Sequence, residues 1–269
     1  MSFQADQALY RMGAELRADV LGRERLEQAL RDEDDLDVFY HLYGHECAYA
    51  QVWARDGLPR LERALAIAAM LAALGPDSET LRVHTRGCIR AGATRAQLRQ
   101  VLAMVTWYAG VPVGSLATAT VRAALQKIPE PLAGIPAGEP ARPAADLATS
   151  GRALRQKILG TPVDDPASSS AAHRAHERIQ DTHYFGVLWS NPDLTLKQRV
   201  LVLIGVICGC NRVADAQCWL AAALRLGCTA EELEEVLLSA GIYCGELTYA
   251  SARRALVDAV AAHQGDGRP

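Results

Sequence analysis

Residues 50–112, AQVWARDGLPRLERALAIAAMLAALGPDSETLRVHTRGCIRAGATRAQLRQVLAMVTWYAGVP, decide the fold. Asp56-Gly57 makes a turn, and Pro59 suits the first position of the next helix. That helix carries Leu61, Leu65, Ala68 and Leu71 on one face and stops at Gly75-Pro76. A second helix covers residues 78–91 and ends at Gly92, where a left-handed C-terminal cap is expected. Thr94-Arg95-Ala96-Gln97 is a capping box, in which Thr94 and Gln97 satisfy each other's orphan amides. The helix it opens carries Leu98, Val101, Leu102, Val105 and Tyr108, and another begins after Gly110-Val111-Pro112.

Working outward, a looser copy of this stretch appears later in the chain. Trp53 matches Trp189 and Arg63 matches Arg199, each 136 residues on. Gly92, Thr94, Tyr108 and Gly110 match Gly227, Thr229, Tyr243 and Gly245, each 135 residues on, so one deletion between helices reconciles the offsets. Thr229-Ala230-Glu231-Glu232 repeats the capping box, and Thr195-Leu196-Lys197-Gln198 supplies another. Upstream, Val20-Leu21-Gly22 resembles Ile158-Leu159-Gly160. Agreement at caps, glycines and helix faces together makes the chain two copies of one all-helical unit.

The flanks complete each unit. Residues 6–30 have helical spacing (Leu9, Met12, Leu16, Val20, Leu21) interrupted at Gly22. An acidic run at 31–35 forms a solvated connection, in which Asp34 or Asp35 could cap the next helix. Residues 36–53 read as one further helix. Residues 128–144, IPEPLAGIPAGEPARPA, hold five of the twelve prolines and read as an extended linker. A second irregular stretch is expected at 160–172. The resulting division is an all-α tandem: residues 1–127 as the first unit, 128–149 as the linker and 150–263 as a degenerate second unit.

Composition narrows the function. Half of the 269 residues are hydrophobic and 22% are charged, the balance of an ordinary packed core. A formal charge of −3 gives no electrostatic reason to expect nucleic acid or an acidic membrane as partner. No uncharged apolar run is long enough to span a bilayer, and the first residues lack a secretory pattern, so a cytoplasmic location is expected. The seven cysteines have no disulfide-framework spacing and read as small buried hydrophobes, Cys208-Gly209-Cys210 included. No GxGxxG, GxxxxGK[ST] or GxSxG motif is present, and Lys127, Lys157 and Lys197 sit near helix ends rather than in apolar surroundings. Neither a metal nor an organic cofactor is expected.

Two places could carry chemistry. His84 shares a helix face with Leu81, Thr85 and Cys88, which suits either a hydrogen-bonded core residue or a catalytic group. The helix over 36–53 is richer: His41, His45 and Tyr49 fall on one stripe at i, i+4 spacing, flanked by Glu46 and Gln51. Such a set admits a metal pair, a polar interface or acid–base work in a cleft.

The words Val52-Trp53-Ala54-Arg55-Asp56-Gly57-Leu58, Leu71-Ala72-Ala73-Leu74-Gly75, His84-Thr85-Arg86-Gly87-Cys88, Gly92-Ala93-Thr94 and Tyr108-Ala109-Gly110-Val111-Pro112 resemble the carboxymuconolactone decarboxylase family, whose wider fold includes AhpD-like proteins. Residues 188–194, Arg199, Gly227, Thr229 and Tyr243 carry the looser match of the second unit. The resemblance implies all-helical subunits that assemble into rings, so that a fused pair would form a homotrimer mimicking a hexamer. It also implies cofactor-free loss of carbon dioxide from a lactone acid. The peroxidase branch uses CxxC before the histidine, and Asp77 and Thr80 hold those positions here, which argues against redox activity. Where the decarboxylase branch carries a glutamate, this chain has Gln51, which can orient or donate but not transfer a proton. In the second unit those two positions are Val187 and Trp219.

The expected activity is thus a decarboxylase-like lyase on a cyclic conjugated acid or lactone, in aromatic or secondary metabolism. An isomerase, cyclase or lactone-opening enzyme, or a non-catalytic small-molecule binder, would use the same pocket. His84 is expected to transfer the proton, helped by His45 or Tyr49, with Gln51 as orienting donor. His41, Glu46, Trp53, Tyr108, His183 and Tyr184 are expected to line the substrate pocket.

Overall fold

The computed structural model describes residues 6–31, 36–126, 128, 142–160 and 170–265. Every regular element among them is helical. The first copy comprises α1 (Gln7–Leu21), α2 (Arg23–Arg31), α3 (Val38–Leu42) leading into a π-helical segment (Tyr43–Trp53), α4 (Arg60–Leu74), α5 (Glu79–Arg90), α6 (Arg95–Ala109) and α7 (Val111–Leu125). The second comprises α8 (Ala144–Leu159), α9 (Ala171–Ile179) leading into a second π-helical segment (Gln180–Trp189), α10 (Leu196–Gly209), a short 3₁₀ turn (Val213–Asp215), α11 (Ala216–Arg225), α12 (Ala230–Tyr243) and α13 (Glu246–Gly265).

Local chemistry sets the boundaries. All three expected capping boxes form, with hydroxyl and side-chain acceptors 2.8–3.1 Å from the amides they satisfy. Gly22, Gly92, Gly160 and Gly227 take positive φ at the helix ends, as their lack of a Cβ permits. Pro59 is the N-cap of α4 rather than its first residue, a shift of one position. Helix α8 already begins at Ala144, so residues 144–149, read from sequence as linker, are helical; Pro143 supplies a compatible start. Arg31 closes α2, and the rest of the acidic run, with its two candidate caps, lies outside the described residues, as does most of the two irregular stretches; Ala171 and Ala172, expected to be irregular, open α9.

The expected single helix over 36–53 is not uniform. It switches to i→i+5 bonding over Tyr43–Trp53, and the second copy does the same over Gln180–Trp189. The spacing of the apolar positions hides this, because Ala48, Tyr49, Val52 and Trp53 would share a buried face in either helix type. Each π segment is crossed by the first helix of its copy at a glycine. A Cβ on Gly13 would collide with the carbonyl oxygen of His45, and one on Gly151 with that of Asp181.

The two copies share one hydrophobic core. Its centre is the contact of α4 with α10, where small residues let the backbones approach closely. A Cβ on Gly205 would lie 2.5 Å from the carbonyl oxygen of Ala66. Gly205→Ala should therefore cost about 1–3 kcal/mol despite alanine's higher helix propensity, because two backbones must part. A fall in the urea midpoint would show this, and an unchanged or raised midpoint would refute it.

Polar side chains also cross between the copies in matched pairs. Buried Arg63 on α4 reaches Glu235 on α12 at 2.9 Å, and buried Arg199 on α10 reaches Gln100 on α6 at 3.0 Å. The indole of Trp53 donates to the Tyr243 hydroxyl at 2.9 Å, and that of Trp189 to Tyr108 at 2.7 Å. Each copy therefore completes its partner's interior.

Candidate active site

Helix α5 begins at the Ser78 cap, whose hydroxyl accepts from the Leu81 amide at 3.2 Å. Its buried face has two kinds of residue. Thr85 donates to the Leu81 carbonyl at 2.8 Å and the Cys88 thiol to that of Ala64 at 3.3 Å, so both are internally satisfied. His84 instead lines a cavity of about 490 Å³. The other polar groups on its wall include Arg17 from α1, Tyr40, Tyr43 and Tyr49 from the helix leading to Trp53, and Tyr243 from the second copy. Leu71, Val83 and Ile242 supply apolar lining, while the part-exposed rings of Tyr40 and Tyr43 stand at the opening.

The aromatic groups form a layered set around the imidazole. The Trp53 ring stacks near His84 (centroids 6.2 Å apart) and Tyr49 stacks on Trp53 (6.1 Å). Tyr243 stands edge-on to His84 at 5.1 Å, accepts from the Trp53 indole and hydrogen-bonds with the Tyr49 hydroxyl. Burial pushes both phenols well above the usual tyrosine range, so they remain protonated donors at neutral pH. Burial, with the Arg17 charge second, pulls His84 down to about 3, so the imidazole is neutral and keeps one N–H and one lone pair.

Arg17 is only 7% exposed. Its Nη1 lies 3.1 Å from His45 Nε2 and 3.3 Å from His41 Nδ1. Arginine can only donate, so both facing ring nitrogens are the unprotonated ones. That assignment agrees with a His45 pulled down to about 4, first by burial and then by the Arg17 charge. His41 and His45 thus stand behind the guanidinium and hold it, rather than lining the cavity.

Two depressed histidines make acid stability a test of this geometry. With folded values near 3 and 4 against an unfolded value of about 6.5, both are neutral in either state above pH 6.5. As pH falls below that, the unfolded chain binds protons that the folded chain refuses. Each histidine should then cost about 1.4 kcal/mol per pH unit until its folded value is reached. Urea midpoints should fall between pH 6.5 and 4, less steeply in a His84→Gln variant. Parallel profiles for variant and parent would contradict the burial of a neutral His84.

The structure brings together only part of the expected site. His84 and Tyr49 meet on the cavity wall. Trp53, expected to line the pocket, instead packs behind them, stacked with both rings, and His45 and His41 stand one layer behind through Arg17. Gln51 is exposed on the outer side of its helix, and Glu46 does not reach the cavity wall. Tyr108, His183 and Tyr184 surround the corresponding place in the second copy: Tyr108 receives the Trp189 indole, Tyr184 donates to the Trp107 carbonyl at 3.2 Å, and exposed His183 stacks on Trp107.

That second place is filled. Trp219, where the first copy has His84, stacks on Trp189 with centroids 5.4 Å apart, and Phe185 replaces Tyr49. Arg155 is the counterpart of Arg17, 138 residues on, and Asp181 stands where His45 does. Asp181 forms an ion pair with Arg155 at 3.1 Å, and Gln180 accepts from the same guanidinium at 2.8 Å.

Sequence reading missed Arg17, Tyr40, Tyr43 and Tyr243 as wall residues. For Arg17 a signal existed: an arginine four residues after Gly13 on the buried face, repeated as Gly151 and Arg155 at the same offset.

An all-helical tandem with a buried histidine in a phenol-rimmed cavity defines the class. The sequence profile of the carboxymuconolactone decarboxylase family matches residues 45–124 and 175–258, and the chain belongs to that family. It is 35% identical over 112 residues to 4-carboxymuconolactone decarboxylase of Acinetobacter baylyi, covering 42% of this chain and 83% of that protein. It is 34% identical over 104 residues to nitrosuccinic acid decarboxylase of Metarhizium robertsii, covering 39% of this chain and 72% of that protein. Each match is about one unit long, and together they support a decarboxylase-like function. Among the described residues no helix is long and apolar enough to cross a membrane.

Proposed function

We propose that the chain is a cofactor-free carboxy-lyase that acts on a small, cyclic conjugated acid or lactone in the cavity beside His84. One observation supports this most: a neutral, buried imidazole and two protonated phenols face the same partly apolar space.

Losing carbon dioxide leaves an electron pair on carbon, which the substrate's conjugated carbonyl takes up as an enolate. Low-polarity walls favour a reaction that disperses the carboxylate charge, and the Tyr243 hydroxyl, which accepts from Trp53 and Tyr49, keeps its own proton to donate to the enolate oxygen. His84 hands its N–H proton to the carbon that lost the carboxylate, while its free ring nitrogen takes one from solvent. The imidazole ends neutral but as the opposite tautomer, and exchange of its ring protons with solvent resets it before the next turnover. Gln51 has no part in this scheme, because it faces outward.

The test is to supply 4-carboxymuconolactone and nitrosuccinate separately and to measure released carbon dioxide against total product. Carbon dioxide equal to product supports decarboxylation; product with its carboxylate retained favours an isomerase or lactone-opening enzyme. Assembly into a trimer of fused pairs is part of the same reading, and a native mass equal to one chain would count against it.

A further inference from the structure

We propose that Arg17 is the carboxylate anchor of this cavity, that each chain binds one such anion, and that the second copy has lost its equivalent site to an internal substitute for the anion. The inference rests on the reading of the cavity as a site for carboxylic acids.

Arg17 is a cation more than nine-tenths buried that faces a cavity, and among the described residues no carboxylate pairs with it. A buried charge without a counter-ion is costly, and two neutral imidazoles offset that cost only in part. Only Nη1 is engaged by those rings. The edge formed by Nε and Nη2 remains, which is the edge that grips a carboxylate through two parallel hydrogen bonds. The Tyr40 ring lies against the guanidinium carbon at 5.9 Å and holds the plane from one side.

The second copy is an internal comparison. The arginine, the glycine crossing and the π-helical segment are all kept, but Asp181 replaces the histidine and occupies Arg155 with its own carboxylate. Arg152 approaches the same aspartate at 3.0 Å. Trp219 fills the space where a ligand would meet an imidazole. One copy supplies the carboxylate itself, and the other leaves the position to a ligand.

The experiment is calorimetric titration of the full chain with succinate, with dimethyl succinate as the uncharged control. Wild type is expected to bind one succinate per chain and not the ester. Arg17→Gln should weaken binding by about 10- to 100-fold, the loss typical of a charge-assisted pair. Arg17→Lys, which keeps the charge but not the fork, should fall between. His45→Asp should weaken binding as much as Arg17→Gln while leaving the arginine in place, and it answers the objection that removing Arg17 merely loosens the fold. The inference is overturned if wild type ignores succinate, binds two per chain, or is matched in affinity by Arg17→Gln and His45→Asp. Its failure is separable from that of the decarboxylase reading. Arg17-dependent binding with no carbon dioxide from either test acid would sink the reaction and leave the anchor. Carbon dioxide release that survives Arg17→Gln with unchanged KM would do the reverse.

Discussion

Replacing His84 with glutamine is expected to lower kcat/KM for carbon dioxide release by about 10²–10⁴-fold, the usual contribution of a placed acid–base group. The substitution isolates proton transfer well. Among the described residues no protein group hydrogen-bonds the His84 ring, so glutamine strands no partner. Its amide can still donate, which preserves polarity at the cavity wall, but it cannot give up a proton and recover one from solvent. Most of the loss should appear in kcat, because the protonated carbon exists only after the carboxylate has left. Rates measured on a proven substrate decide the matter. Turnover within a few-fold of wild type would remove His84 from the mechanism.

Glu235→Leu is expected to destabilise the chain by about 3–5 kcal/mol, whereas Glu235→Gln should cost far less. Glu235 is 2% exposed and accepts from Arg55 at 2.6 Å and Arg63 at 2.9 Å. Arg63, 1% exposed, also donates to the Ser239 hydroxyl and the Arg55 carbonyl, each at 3.2 Å. Leucine would leave that guanidinium buried without its anion. Glutamine is already used in the matched place, where Gln100 accepts from Arg199 at 3.0 Å and the Asn191 carbonyl at 2.7 Å supplies a second contact. Burial pulls Arg199 down to about 10, still charged at neutral pH, so a neutral amide suffices there. Because Glu235 joins the two copies, the loss should appear as a lower midpoint for one cooperative urea transition. Equal midpoints for the leucine and glutamine variants would contradict the account of this network.

The range over which each piece of chemistry acts decides how legible it is in the sequence. Caps and stops are written within four residues, so Thr94–Gln97, Thr195–Gln198 and Thr229–Glu232 mark helix starts correctly. The duplication is legible because those signals recur at fixed offsets. The π-helical segment is not, since its buried positions also fit an α-helical face. The candidate site is legible only in part for a similar reason. Periodicity shows that His45 and Tyr49 share a face with His41, but not that an arginine from α1 stands between the two histidines and the cavity. Tyr243, 190 residues from Trp53, enters the wall because the copies exchange side chains, and sequence spacing holds no trace of that contact. Gln51 draws attention by its position beside Val52-Trp53, yet the helix turns it to the outer surface.

The most direct test of the account is to count carbon dioxide against product for wild type and His84→Gln in parallel, with the reaction run in deuterated water. One carbon dioxide per product, one deuterium on the carbon that lost the carboxylate, and loss of both signals in the variant are expected. A product that keeps its carboxylate, or equal carbon dioxide release from the two proteins, would contradict the mechanism.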